Sequence, residues 1–156
     1  MSDPMDIYSK PIKTQNTKLG RLFWMQPRRK PEKPGRELIV NFDDRFPFAN
    51  DFEVHFSYLV KFFEIGNFAG NHYHIKKQEL FIPVSGKFTV HLENIETKEK
   101  ETIKIDSEER QIFYIQPKTA HKVVSESANA VLLVLATSAN IDGDEFGYVI
   151  KSNEIN

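Results

Sequence analysis

Alternation of apolar and polar positions dominates the chain from residue 21 onward. Within residues 52–65, Val54, Phe56, Tyr58, Val60 and Phe62 share one parity, which on an extended backbone is a single face. That pattern predicts a strand with this face turned inward and His55 on the solvent side. Residues 21–25 and 37–42 read as shorter strands, and further strands are expected near 68–74, 79–84, 86–93, 99–105, 111–116, 120–126 and 130–137. A tight turn is expected at Ser85-Gly86, where glycine supplies the backbone freedom. No helical period is sustained, and residues 144–151 suit either a short helix or a last strand. About eight to ten short strands with turn signals between them indicate an all-β sandwich, barrel or jelly roll.

The flanks differ in character. Residues 1–20 are polar and mixed, and are expected to form a loosely ordered N-terminal arm or to lie on a partner. Residues 21–150 form a single domain and 151–156 a tail. The segment 26–36 is basic and punctuated by Pro27, Pro31 and Pro34, so helix and central strand are excluded there. It reads as a solvated loop, with anionic-ligand recognition by Arg28, Arg29 or Arg36 as the functional alternative. Trp24 suits either the core or a dimer interface.

Composition narrows the function classes. The chain has 156 residues, 40% of them hydrophobic, with 13 Phe and 5 Tyr, enough for one domain with an aromatic core. A formal net charge of −1 gives no electrostatic case for nucleic acid or an anionic membrane. The absence of cysteine excludes disulfides and thiolate chemistry and fits a reducing cytoplasm. No signal peptide is expected, because no basic segment precedes an apolar one at the N-terminus. No apolar run approaches the roughly 20 residues that span a bilayer.

The chemistry concentrates in Gly66–Gly86. His72 and His74 are one residue apart on a predicted strand and project to one face. Glu79 follows after a turn and opens the apolar run Leu80-Phe81-Ile82-Pro83-Val84. Two imidazoles and a carboxylate make three legs of a divalent metal site, and His121 offers a fourth. Such donors suit Zn, Fe, Mn, Ni or Cu and do not choose among them. His55 and His91 have outward parity and are expected at the surface.

The spacing Gly66-x5-His72-x-His74-x4-Glu79-x6-Gly86 resembles the first motif of the cupin superfamily, small jelly-roll barrels with a site in the mouth. Ile115-Gln116-Pro117-Lys118-Thr119-Ala120-His121 resembles the second, with Lys118 in place of the usual glycine and Ser125 in place of the trailing asparagine. A narrower resemblance runs from about residue 36 to 150. It is carried by Gly35 to Val40, Phe46-Pro47-Phe48, Tyr58, Gly70 to His74, Val131 to Thr137, and an acidic segment before Tyr148-Val149-Ile150. These are similar to the WxcM-like, dTDP-sugar-isomerase group of RmlC-type cupins.

The resemblance implies a cupin double-stranded β-helix, a cytoplasmic homodimer, and action on a nucleotide-linked 4-keto sugar in polysaccharide biosynthesis. It implies proton transfer by a histidine pair in an Arg-Gly-x-His-x-His segment, matched here by His72 and His74, with Tyr58 in the cleft. Two positions depart from the group. Ala69 stands where the ketoisomerases carry arginine, and Glu79 stands where glutamine is more usual, restoring the metal-binding form of the motif. The segment Gly70 to His74 is also similar to the metal-carrying cupin domain of capsular-polysaccharide reductases.

The leading expectation is thus a metal-binding cupin that isomerises or epimerises a nucleotide-linked keto sugar. His72, His74 and Tyr58 would be catalytic, and His72, His74, Glu79 and His121 would hold a divalent Zn, Fe, Mn or Ni ion. Two alternatives share the residues: another metal-dependent cupin enzyme, such as a dioxygenase or small-molecule isomerase, and a non-catalytic sugar-binding cupin.

Overall fold

A computed structural model gives the architecture. It describes residues 6–139 and 143–151; the remainder of the expected arm (1–5) and tail (152–156) lies outside the described residues. A short helix α1 (Asp6–Ser9) precedes thirteen strands: β1 (Pro11–Asn16), β2 (Gly20–Met25), β3 (Arg28–Lys30), β4 (Lys33–Leu38), β5 (Phe56–Phe62), β6 (Phe68–Tyr73), β7 (Glu79–Ser85), β8 (Lys87–Asn94), β9 (Lys100–Asp106), β10 (Gln111–Ile115), β11 (Thr119–Ser125), β12 (Ala130–Ala136) and β13 (Phe146–Gly147). The last confirms the strand reading of the C-terminal segment.

Two antiparallel sheets face one another, one ordered β1-β2-β10-β7-β12-β5 and the other β13-β6-β11-β8-β9. This is the expected all-β cupin jelly roll. The inward parity of β5 holds, with Tyr58 and Val60 packed against the core and Phe62 buried. Between the sheets lie Leu22, Phe62, Phe81, Phe88, Leu92, Ile105, Phe113, Val123 and Leu132, each stabilising the fold by roughly 1.5–3 kcal/mol relative to exposure. Trp24 packs on this cluster.

A second core lies on the outer face of the larger sheet. Phe23, Met25, Leu80, Ile82 and Ile112 are covered there by Phe48 and Phe52, with Phe42 and Val54 alongside. β7 is consequently buried on both faces over its first five residues, which explains its unbroken apolar run. Pro83 is accommodated because pairing with β10 ends at Phe81 and the β12 register shifts beside it.

Four expectations are corrected. Residues 6–20 are not loosely ordered: β1 pairs with β2 along its length, and its polar side chains are those of an exposed edge strand. The basic segment 26–36 is not a loop but the start of a ribbon, β3 paired with β4; Arg29 is tied to Glu37 at 2.9 Å, and Arg110 holds the same carboxylate. The strand expected over 37–42 therefore ends at Leu38, because the following residues cover the sheet instead of joining it. The strand expected over 52–65 is confined to Phe56–Phe62.

Candidate active site

β6 and β11 are neighbours, and His121 lies opposite His72 in register. Just beyond, the register shifts between His121 and Lys122. Gly70 sits at this irregularity with φ +101°, and a Cβ there would lie 2.5 Å from the His121 carbonyl oxygen. Only glycine allows both the backbone conformation and the approach. Past the end of β6, residues 75–78 turn the chain so that Glu79 enters at the first position of β7.

The donor atoms of His72, His74, Glu79 and His121 all lie within 4.8 Å of one another. His74, Glu79 and His121 are 4%, 1% and 2% exposed, whereas the His72 side chain keeps 25% of its surface. Glu79 divides its carboxylate between two sets of partners. Oε1 is 3.2 Å from His74 Nε2 and 3.4 Å from His121 Nε2; Oε2 accepts the Tyr58 hydroxyl at 3.1 Å and faces Lys77 Nζ at 4.0 Å. His74 Nε2 and Glu79 Oε1 are close but not aligned for a hydrogen bond, so among the described residues both buried atoms lack a hydrogen-bond partner. A cation at that point would satisfy both, and the imidazole–carboxylate donor set fits a divalent ion.

A strap from the C-terminal segment orients the histidines. His74 Nδ1 lies 2.7 Å from the Asp144 carbonyl oxygen; donation there leaves Nε2 as the lone-pair nitrogen facing Glu79. The Asp144 carboxylate accepts the backbone N–H groups of Ile75, Lys76 and Lys77 at 2.8, 3.0 and 3.0 Å, which fixes the turn before Glu79. Glu145 Oε1 lies 3.5 Å from His72 Nδ1. β13 pairs with β6, and Phe146 stacks on Tyr73 with centroids 5.1 Å apart. On the other side, His121 Nδ1 lies 3.2 Å from the Thr119 carbonyl oxygen.

Burial sets the electrostatics. It lowers the pKa of His121 to about 4 and lowers that of His72, where the Glu145 carboxylate opposes it. Burial also works against charge on His74, but the Glu79 carboxylate and the Asp144 carbonyl outweigh it and raise the pKa. For Glu79 burial favours protonation, and His74, His121 and Lys77 together overcome it and hold the group well below the usual carboxylate range. Burial and the neighbouring Glu79 charge push Tyr58 far upward, so it remains a phenol.

Tyr58, His72, Lys77, His121 and Glu145 line one end of a cavity of about 270 Å³ whose other walls include Phe56, Val60, Phe81, Val123, Leu132 and Val134. His74 and Glu79 lie behind that polar end, in contact with His121 and Tyr58. A hollow of about 350 Å³ lined by Lys18, Arg21, Asn50 and Tyr114 lies elsewhere and includes none of the clustered donors. The arrangement brings together every residue singled out for the site. His55 is instead paired with Glu53 at the surface, and His91 bonds Thr102 on β9. Ala69 packs against the core and lines the cavity without a charge. Sequence reasoning missed Lys77, Asp144 and Glu145. Lys77 shares strand parity with Glu79, which is a usable signal; the two acidic residues were noted only as part of an acidic segment.

No curated protein matches the chain. Among solved structures, a variant of the 3,4-ketoisomerase QdtA from Thermoanaerobacterium thermosaccharolyticum, in complex with TDP-4-keto-6-deoxyglucose, is similar at 17% identity and TM-score 0.67, over 84% of this chain and 88% of that one. A 3,4-ketoisomerase from Helicobacter canadensis is similar at 16% identity and TM-score 0.68, over 81% and 89%. A dTDP-4-dehydrorhamnose 3,5-epimerase from Elizabethkingia anophelis gives 14% and 0.69, over 85% and 78%. These likenesses show a shared fold. The family described as FdtA, WxcM-like, C-terminal matches residues 34–150, three quarters of the sequence, and the chain therefore belongs to that WxcM-like family.

Proposed function

We propose that this protein is an isomerase or epimerase of a nucleotide-linked keto sugar. The observation that carries the reading is the convergence of His72, His74, Glu79, His121 and Tyr58 in one cluster, of which Tyr58, His72 and His121 reach the polar end of a cleft with apolar walls. The reading is supported by the solved structures named above, two described as 3,4-ketoisomerases, one of them in complex with TDP-4-keto-6-deoxyglucose, and one as a dTDP-4-dehydrorhamnose 3,5-epimerase.

A hydrogen on the carbon next to a sugar ketone is acidic when the enolate oxygen formed on its removal is stabilised. His72 is the most exposed imidazole of the cluster, and its lowered pKa keeps it neutral near pH 7. It takes the proton, and the C–H electron pair forms the enediolate. Tyr58, held as a phenol, supplies a proton donor beside Glu79. Return of a proton to the former carbonyl carbon, with loss of the hydroxyl proton from the carbon first deprotonated, moves the ketone; return of a proton to that first carbon from the opposite face inverts it. The apolar walls exclude water from the enediolate.

His72, His74, Glu79 and His121 would hold a divalent Zn, Fe, Mn or Ni ion, which when bound would polarise a carbonyl oxygen. Imidazoles committed as ligands are not bases, so in that form proton transfer falls to Tyr58 or another cleft residue. The same donor cluster supports a second reading, a metal-dependent cupin enzyme of unrelated substrate. The expected partners are a nucleotide sugar and a second copy of the chain. Among the described residues no helix is long and apolar enough to cross a membrane.

Thermal denaturation against a panel of dTDP-, UDP- and GDP-linked sugars tests the substrate class. A ligand at about 100 times its Kd adds about 2.7 kcal/mol to the folded state, a readily measured rise in Tm. No shift with any member would overturn the reading. A shift with no change in the substrate NMR spectrum would instead identify a sugar-binding cupin without turnover.

A further inference from the structure

Lys77 is a lysine buried inside the cleft wall. Its side chain is 2% exposed, as is that of Glu79, and lysine is almost never so buried without a charge partner. Its backbone N–H is fixed by the Asp144 carboxylate at 3.0 Å. Its Nζ lies 4.0 Å from Glu79 Oε2, and 5.8 and 5.9 Å from the ring centroids of Phe56 and Tyr58. The ammonium is thus held over two aromatic faces and aimed at one oxygen of the carboxylate.

The other oxygen belongs to the imidazoles. Oε1 faces His74 Nε2 and His121 Nε2, while Oε2 faces Tyr58 and Lys77. A divalent ion held by the histidines and Oε1 would therefore share one buried negative charge with an ammonium on the far side of the same carboxylate. Within the Glu79–Lys77 pair the charges are −1 and +1, so removing Lys77 takes away a positive charge that faces any cation held at the histidines. Like charges in a buried site repel far more strongly than at a surface.

We propose that Lys77 is a positioning residue for Glu79: its ammonium anchors the carboxylate across the cleft and opposes a divalent cation at the three histidines. The cluster keeps its shape through this internal ion pair and takes up metal weakly and reversibly. The inference rests on the cluster being the functional centre, but its test needs no sugar substrate, so its failure is separable from failure of the isomerase reading.

The experiment is calorimetric titration of Zn²⁺, and separately Mn²⁺, into the full-length, metal-stripped protein purified without an affinity tag. Wild type is compared with Lys77→Met, Lys77→Arg and Lys76→Met, the last removing an exposed neighbouring charge. Lys77→Met should bind Zn²⁺ at least tenfold more tightly than wild type, whereas Lys77→Arg and Lys76→Met stay within about threefold. Without metal, Lys77→Met should melt below wild type and recover with Zn²⁺. If it folds only with Zn²⁺, that too supports the proposal; if it folds under neither condition, Lys77→Gln is read by the same criterion. Zn²⁺ affinity of folded Lys77→Met, or of Lys77→Gln in its place, no higher than that of Lys76→Met would overturn it.

Discussion

The segment from Gly70 to Glu79 delivers three of the four clustered donors from one strand end and turn, whereas His121 arrives alone on β11. The first segment carries the glycine its geometry needs. The second carries Lys118 at φ 64°, a left-handed conformation that most residues avoid. Both nevertheless place a histidine on the same cavity wall. The difference lies in what holds each one. β11 is a central strand, paired with β6 on one side and β8 on the other, so His121 is fixed opposite both His72 and Leu92. The Lys118 N–H donates to the His74 carbonyl at 2.7 Å and ties the second turn to the first. Local turn chemistry specifies the first segment; sheet register specifies the second.

The largest expected effect is at Gly70. Gly70→Ala forces a Cβ to within 2.5 Å of the His121 carbonyl at φ +101°, and should destabilise the protein by about 3 kcal/mol or more, measured by urea unfolding. Next come the histidines themselves. If register alone gives His121 its place, His72→Ala and His121→Ala should each reduce turnover at least about 100-fold, with circular dichroism unchanged. A large loss at His72 and almost none at His121 would break the symmetry.

Acid separates the two segments further. His121 has its pKa lowered to about 4 by burial, so the unfolded chain takes up a proton below about 6.5 that the folded chain refuses. Stability should therefore fall as pH drops from about 6.5 toward 4, at up to about 1.4 kcal/mol per pH unit for that proton. Lowered His72 acts in the same direction; His74, raised by Glu79 and Asp144, acts in the opposite one. His121→Gln should flatten the profile in urea titrations between pH 6.5 and 4. The smallest effect is at the second turn. Lys118→Gly relieves the left-handed strain at the cost of unfolded-state entropy and a Lys118–Glu96 pair with both side chains at least half exposed. It should change stability by no more than about 1 kcal/mol and leave turnover intact.

Most of the barrel was legible because its strands alternate cleanly. His72, His74 and Glu79 could be placed in one pocket from parity and spacing, whereas Tyr58 joined them only through the family resemblance. Residues 11–16 were not legible, since an edge strand exposes its side chains and carries no apolar stripe. The β3–β4 ribbon was hidden for a similar reason, being polar on both faces. Phe42, Phe48 and Phe52 showed an apolar content without showing that they cover the outer face of the sheet. The strap was beyond sequence reasoning: Asp144 meets His74 and residues 75–77 across almost 70 positions, and nothing local marks such a contact. Lys77 was readable by parity with Glu79, but a lysine in a turn is ordinarily a solvated one.

The proposed function requires this cleft to move a proton next to a sugar ketone. The direct measurement is proton NMR of dTDP-4-keto-6-deoxyglucose incubated with the enzyme in D₂O, with and without chelator. The signal from the hydrogen beside the ketone should disappear as deuterium enters, with signals of a rearranged or inverted keto sugar growing in, and neither change should occur with His72→Ala. A spectrum unchanged over hours, with and without added divalent metal, while thermal shift confirms that the sugar is bound, would contradict it.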